Sequence, residues 1–112
     1  MSTIQATAHL KIHDGKLAEF KDVAARCIET VRTKDTGTLQ YDWFLNEDGS
    51  VCVVREAYRD SAAVFEHMQN LGDDLGALLG VCDMELEIYG DPSPELATTL
   101  KDFGARLYTS LL

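Results

Sequence analysis

The order of hydrophobic periodicities along the chain limits the folds that it can adopt. Four stretches predict β-strands, three of them by alternation of apolar and polar residues and one by an apolar run. These stretches are residues 3–13, 38–46, 51–58 and 82–90. Apolar residues at helical spacing predict helices between them. These helices cover residues 17–34, 61–71 and, as a short second piece, 75–79. The order β-α-β-β-α-β predicts an α+β, ferredoxin-like fold with a four-stranded antiparallel sheet and helices on one face.

The length of the chain favours a single domain with one core. At 112 residues, there is little room for a second core, so we expect residues 1–112 to form one ferredoxin-like domain. Near the end, Ser93 and Pro94 predict the start of a further helix. An apolar tail follows this helix. We expect residues 93–112 to pack as a helix and tail on the domain or on a dimer partner.

Composition narrows the range of partners and locations. The net charge is −9, from 10 Lys and Arg residues against 19 Asp and Glu residues. This balance disfavours nucleic acid and anionic membranes as partners, since both attract basic patches. Residues 1–4 carry no basic or long apolar segment, which indicates no signal peptide. The three cysteines lie in apolar contexts and predict buried free thiols in a reducing compartment. We therefore expect a cytoplasmic protein.

The segment from Glu56 to His67 concentrates side chains that can carry chemistry. Glu56 and Tyr58 end a predicted strand, and their two-residue spacing places both side chains on one face. Asp60 predicts a helix N-cap, and His67 lies on the apolar stripe of the helix that follows. If that stripe packs on the Glu56 face, a carboxylate, a phenol and an imidazole converge in apolar surroundings, as at many functional sites.

The same alternation predicts the strand side of a pocket between the sheet and the His67 helix. Residues 38–46 alternate, so one face of that strand carries Leu39, Tyr41, Trp43 and Leu45. The predicted strand-side lining of the pocket is Ala8, Tyr41, Trp43, Glu56 and Tyr58. Tyr41, Trp43 and Tyr58 can also be read as ordinary core residues, and Glu56 as a half-buried group paired with Arg55 or Arg59.

Three pieces of the sequence resemble the antibiotic biosynthesis monooxygenase family. Residues 37–41 resemble its Gly-x-Leu-x-Tyr strand. Residues 55–60, followed by Ala63 and His67, resemble its Glu-x-aromatic-x-Asp segment and the Ala-x-x-x-His that comes after it. Spacing and element order agree over residues 3–90. The chain therefore resembles this family in fold, as a member of the dimeric α+β barrel superfamily.

The end of the chain is similar to a quinol-monooxygenase-like branch, through Tyr89-Gly90-Asp91 and Phe103-Gly104. The resemblance implies oxidation of a small quinol or phenolic aromatic by dioxygen, with no cofactor. It makes His67 the candidate base and Glu56 a group that orients His67 or accepts a proton through water. The candidate substrate-binding residues are Tyr41, Trp43, Tyr58 and Ala8.

Two differences from related sequences narrow what the resemblance implies. A haem-degrading branch carries an Asn where this chain has Ala8, and a haem-ligating His where it has residues 73–79. Haem degradation is therefore disfavoured. Many family members also carry a second His soon after the first, whereas residues 70–72 here are Asn-Leu-Gly. The assignment of a base then depends on His67 alone.

The outer face of the predicted sheet is the expected dimer interface. It mixes polar, aromatic and aliphatic groups and has no cover in a monomer, so we expect a homodimer with the sheets packed face to face. This face carries Thr7, His9, Lys11, Gln40, Phe44, Val53, Glu85 and Tyr89. Two functions stay open: a monooxygenase, and a non-catalytic dimeric protein that binds a small ligand or is associated with stress.

Overall fold

The computed structural model describes residues 3–112; residues 1 and 2, on which part of the signal-peptide expectation depends, lie outside this range. The strands are β1 (Ile4–Ile12), β2 (Thr38–Leu45), β3 (Val51–Tyr58), β4 (Cys82–Tyr89) and β5 (Arg106–Tyr108). The helices are α1 (Leu17–Lys34), α2 (Ser61–Leu71), α3 (Asp73–Leu79) and α4 (Pro94–Asp102). Between residues 3 and 112, none of these helices combines the length and apolar character that a membrane crossing requires.

The sheet has five strands in the order β2-β3-β1-β4-β5. Antiparallel ladders join β2 to β3, β3 to β1 and β1 to β4, which confirms the α+β ferredoxin-like class. The predicted four-stranded antiparallel sheet is wrong, because β5 adds to β4 in parallel and makes the sheet mixed. Strand β5 has only three residues, and a segment this short produces no alternation that could be recognised in the sequence.

The inward face of the sheet and the helices share the core. In β1, every second residue from Ile4 to Ile12 is buried, as the alternation predicts. Helix α1 packs Phe20, Val23 and Cys27 into the same core. Fully burying one large apolar side chain contributes about 1.5–3 kcal/mol, so this stripe of α1 holds the helix firmly on the sheet.

Strand β2 departs from the predicted alternation at both ends. A bulge between Thr38 and Gln40 inserts an extra residue, and Leu39 is 62% exposed instead of sharing the face of Tyr41. At the other end, Leu45 lies opposite the buried Cys52 but is 44% exposed. The central residues of β2 alternate as predicted, so the strand side of the pocket keeps its predicted residues.

The C-terminal segment packs on its own domain through α4 and β5. The Ser93 side chain accepts a hydrogen bond from the Leu96 N–H at 3.2 Å, and Pro94 occupies the first turn, as the sequence predicts. Leu96 is fully buried. Beyond β5, however, Leu111 and Leu112 are fully exposed. Packing of these last leucines against a partner stays a prediction.

The outer face of the sheet carries a row of cross-strand neighbours, from Phe44 through Val53 and His9 to Glu85. Phe44 is 55% exposed, although a large aromatic side chain gains by burial. We predict that this face packs against a second copy of the chain and buries at least ~1,600 Å² in total.

Sedimentation at micromolar concentration tests this dimer. The wild type is expected to sediment as a dimer and Phe44→Glu as a monomer, because a carboxylate buried in the interface would be desolvated without a partner. Ile28→Glu, on α1 and 38% exposed, is the matched control and leaves the dimer intact. A monomeric wild type at this concentration would rule out the interface.

Candidate functional site

A cavity of about 70 Å³ lies between the inward face of the sheet and the helices. Its volume exceeds the ~15 Å³ that a single water needs, and its walls are mostly apolar. All six residues that the sequence singles out border it. They are Ala8, Tyr41, Trp43, Glu56, Tyr58 and His67. The structure thus brings the whole predicted set together around one space, which in this form accommodates only a small ligand.

The local folding of β3 and α2 explains this convergence. Glu56 and Tyr58 share the inward face of β3, opposite Ala6 and Ile4 of β1. The Asp60 side chain caps α2 by accepting a hydrogen bond from the Ala63 N–H at 2.9 Å, as predicted. The cap fixes where α2 begins. The helical phase then directs His67 onto the buried side of α2.

His67 lies between two carboxyl groups. Its Nδ1 is 2.9 Å from Oδ2 of Asp35, and its Nε2 is 3.9 Å from Oε1 of Glu56. The imidazole is 8% exposed. One ring nitrogen is therefore bonded to Asp35, while the other faces Glu56.

Asp35 is the site residue that sequence reasoning missed. Its side chain is 1% exposed and also accepts hydrogen bonds from Thr38 Oγ1 at 2.6 Å and Asn70 Nδ2 at 2.8 Å. Burial alone would raise the pKa of Asp35, but the hydrogen bonds from Asn70, Thr38 and His67 outweigh it and hold that pKa below its usual value. Asp35 is the C-cap of α1, where the helix dipole disfavours an acid. An acid at this position was the feature of the sequence that could have pointed to Asp35.

Glu56 and Tyr58 have the opposite electrostatic character. Tyr58 donates its phenolic hydrogen to Oε1 of Glu56. Burial raises the pKa of Glu56, and the nearby His67 and the Tyr58 hydrogen bond only partly oppose that rise. Burial, together with the Glu56 charge, also raises the pKa of Tyr58. The site thus pairs Asp35, a carboxyl group whose pKa is lowered, with Glu56, one whose pKa is raised.

The pKa of Glu56 predicts a change of stability with pH. Because that pKa is raised on folding, the stabilisation from this group is complete below the unfolded-state pKa and is lost as pH rises through the folded-state value. Glu56→Gln removes the ionisation while keeping an acceptor for Tyr58. We expect the unfolding free energy of Glu56→Gln, measured with urea, to increase relative to that of the wild type as pH rises from 5 to 8. A difference in unfolding free energy between the two proteins that stays constant with pH would contradict this prediction.

Aromatic side chains form the wall beside His67. The Tyr41 ring lies edge-on to His67, with centroids 5.2 Å apart, and Tyr58 is 5.0 Å away. Trp43 packs edge-on against Tyr41 at 5.7 Å. The Trp43 Nε1–H is buried and has no hydrogen-bond acceptor among residues 3–112. An unpaired donor in such a setting is costly, and a ligand oxygen would relieve that cost.

The described part of the chain contains neither a thiol with a lowered pKa nor a group of metal ligands. Burial raises the pKa of Cys27, Cys52 and Cys82 to about 11 each, so these thiols stay protonated at neutral pH. Across residues 3–112, no three His, Cys, Asp or Glu side chains are grouped as metal ligands.

Comparison with protein families identifies the chain. The sequence model described as antibiotic biosynthesis monooxygenase matches residues 3–72. The chain belongs to the antibiotic biosynthesis monooxygenase family. The match covers β1 to α2 and so includes Asp35 and the six predicted site residues. No curated protein matches the chain.

Solved structures share the fold of this family member at low sequence identity. MupZ from Pseudomonas fluorescens is 21% identical, with a TM-score of 0.86 over 100% of this chain and 93% of MupZ. A conserved protein from Methanosarcina mazei Go1 is 19% identical, with a TM-score of 0.71 over 80% of this chain and 92% of that one. SnoaB, a cofactor-independent oxygenase from Streptomyces nogalater, is 18% identical, with a TM-score of 0.69 over 83% of this chain and 96% of SnoaB. These likenesses establish the fold.

Proposed function

We propose that this antibiotic biosynthesis monooxygenase family member is a cofactor-independent monooxygenase that oxidises a small quinol or phenol with dioxygen. The observation that carries the proposal is the position of His67, 3.9 Å from Glu56 through Nε2 and bonded to Asp35 through Nδ1, at the edge of an apolar cavity. The family membership and the fold shared with SnoaB support the same class of reaction.

The first step assigned to this chain is removal of the phenolic proton by His67. Nδ1 is already engaged by Asp35, so Nε2 is the nitrogen that accepts the proton. An imidazole is a common general base in enzymes that work near neutral pH. The apolar walls exclude water, which leaves the phenolate electron-rich enough to reduce dioxygen directly.

The second assigned step is proton delivery by Glu56. The phenolate gives one electron to dioxygen, and the resulting radical and superoxide combine as a peroxide at a ring carbon. The O–O bond then breaks as the hydrogen on that carbon leaves as a proton, and the departing oxygen is released as water. One phenol and one dioxygen thus give one quinone and one water. Because burial raises the pKa of Glu56, this group binds a proton more readily than an ordinary carboxyl group does, and we assign to it the proton that assists O–O cleavage.

The aromatic wall would position the substrate ring. Tyr41 and Trp43 offer flat apolar surfaces for stacking. The unpaired Trp43 Nε1–H offers a donor to a substrate oxygen. Ala8, which is 2% exposed, contributes a small side chain that leaves room for the ring. A single-ring quinol or phenol suits a 70 Å³ cavity better than a fused polycycle does.

Oxygen uptake by the purified protein tests this proposal. A panel of single-ring quinols and phenols is mixed with the protein, and oxygen consumption is recorded against quinone formation, with an expected ratio of one to one. Iron and flavin in the protein are measured in parallel. Activity that follows iron or flavin content would overturn the cofactor-free mechanism. Saturable binding of panel compounds without oxygen uptake would instead favour the non-catalytic ligand-binding function.

A further inference from the structure

We propose that Asp35 is a positioning residue, which holds the His67 ring with its proton on Nδ1 and its Nε2 toward the cavity. Asp35 Oδ2 lies 2.9 Å from His67 Nδ1. An ionised carboxylate only accepts hydrogen bonds, so the proton in this contact belongs to Nδ1. The consequence for catalysis rests on the proposed function, whereas the tautomer can be tested without it.

Asp35 is itself held from two sides. The Thr38 hydroxyl, at the start of β2, donates to Oδ2 at 2.6 Å. The Asn70 amide, on α2, donates to Oδ1 at 2.8 Å. Both carboxylate oxygens are therefore occupied, and rotation of the group would break at least two hydrogen bonds in a site where its side chain is 1% exposed. A carboxylate fixed in this way fixes the ring that it binds.

Asn70 connects α2 to this arrangement. Here the Asn70 amide supports Asp35, and Asp35 supports His67. The chain therefore uses one histidine with a two-residue support on the side of Nδ1.

The charges around His67 assign the anionic role to Asp35. The titratable groups that face the imidazole are Asp35 from the end of α1, Glu56 and Tyr58 from β3, and Tyr41 from β2. Burial raises the pKa of Glu56, Tyr58 and Tyr41, which favours their neutral forms. Asp35 alone in this set has a lowered pKa, so it supplies the negative charge that stabilises an imidazolium when Nε2 takes a proton.

Nitrogen-15 NMR of the histidine rings tests the tautomer directly. In the wild type we expect the His67 signals of a protonated Nδ1 and an unprotonated Nε2 at pH 8. In Asp35→Ala the Nδ1 proton loses its acceptor, and we expect both tautomers to be populated. Asp22→Asn, at an exposed position on α1, is the control and leaves the wild-type signals unchanged. A wild-type ring protonated on Nε2 would overturn the proposal.

Asp35→Asn distinguishes positioning of His67 from a merely structural role of Asp35. It also tests the proposal if Asp35→Ala does not fold. It keeps the size of the side chain but removes the charge. We expect turnover of the best panel substrate to fall by on the order of ten- to a hundredfold and the acid limb of the pH profile to move to lower pH. An unchanged profile with unchanged turnover would overturn the role of Asp35. If no variant consumes oxygen, the proposed function fails, and the tautomer measurement alone decides the role of Asp35.

Discussion

Replacing His67 by Ala is expected to lower turnover of a quinol or phenol by ~10²-fold or more, since a positioned general base contributes about that much. The Nε2 atom that faces Glu56 at 3.9 Å would be lost, and no other imidazole borders the cavity within residues 3–112. The expected loss is in kcat, because the stacking surfaces of Tyr41 and Trp43 remain. Initial rates of oxygen uptake with the best panel substrate measure it.

Two further variants make this result interpretable. His13→Ala removes a histidine that binds Asp83 at the surface, 2.9 Å away, and should leave turnover at the wild-type level. His67→Gln keeps a polar side chain beside Asp35 and guards against loss of folding in the Ala variant, yet it lacks a basic nitrogen and should lose activity equally. Unchanged turnover in His67→Ala or His67→Gln would remove His67 from the mechanism.

The part of the site on β3 and α2 follows from local rules. Strand alternation places Glu56 and Tyr58 on one face, and the structure has both inward, with Tyr58 1% exposed. The Asp60 cap sets the phase of α2, which directs His67 to the same side. Because each step depends only on neighbouring residues, the sequence was sufficient to predict this convergence.

An acid at the C-cap of α1 is a local signal, but local rules do not identify the partner of Asp35. Its contact with His67 joins residues 32 positions apart and depends on how the end of α1 meets α2 in space. No periodicity marks this junction, because Asp35 belongs to the cap rather than to the apolar stripe of α1. The bulge at Leu39 and the short strand β5 escaped prediction for a related reason. Both depend on pairing with distant strands rather than on a local pattern.

Replacing Gly37 by Ala is expected to destabilise the protein by about 2–3 kcal/mol, at the upper part of the usual range for overpacking. A Cβ at this position would lie 2.5 Å from the Cβ of Ala63 and 3.5 Å from its Cα. Ala63 is 4% exposed, and its N–H is held by the Asp60 cap. Relief therefore requires α2 to move as a unit, and His67 lies one turn further along that helix. We expect turnover to fall together with the unfolding midpoint in urea.

A double-mutant cycle separates this contact from a general effect of losing glycine. Ala63→Gly alone costs about 1 kcal/mol, as glycine does within a helix, but in the Gly37→Ala background it removes the clashing methyl group. The double variant should therefore be more stable than the sum of the single changes predicts. Gly76→Ala, on α3 with nothing within 4 Å of its added Cβ, is the control and should be neutral or slightly stabilising. If Gly37→Ala unfolds at the wild-type midpoint, or if the two changes simply add, then the close approach of Gly37 to α2 does not fix the position of the His67 helix.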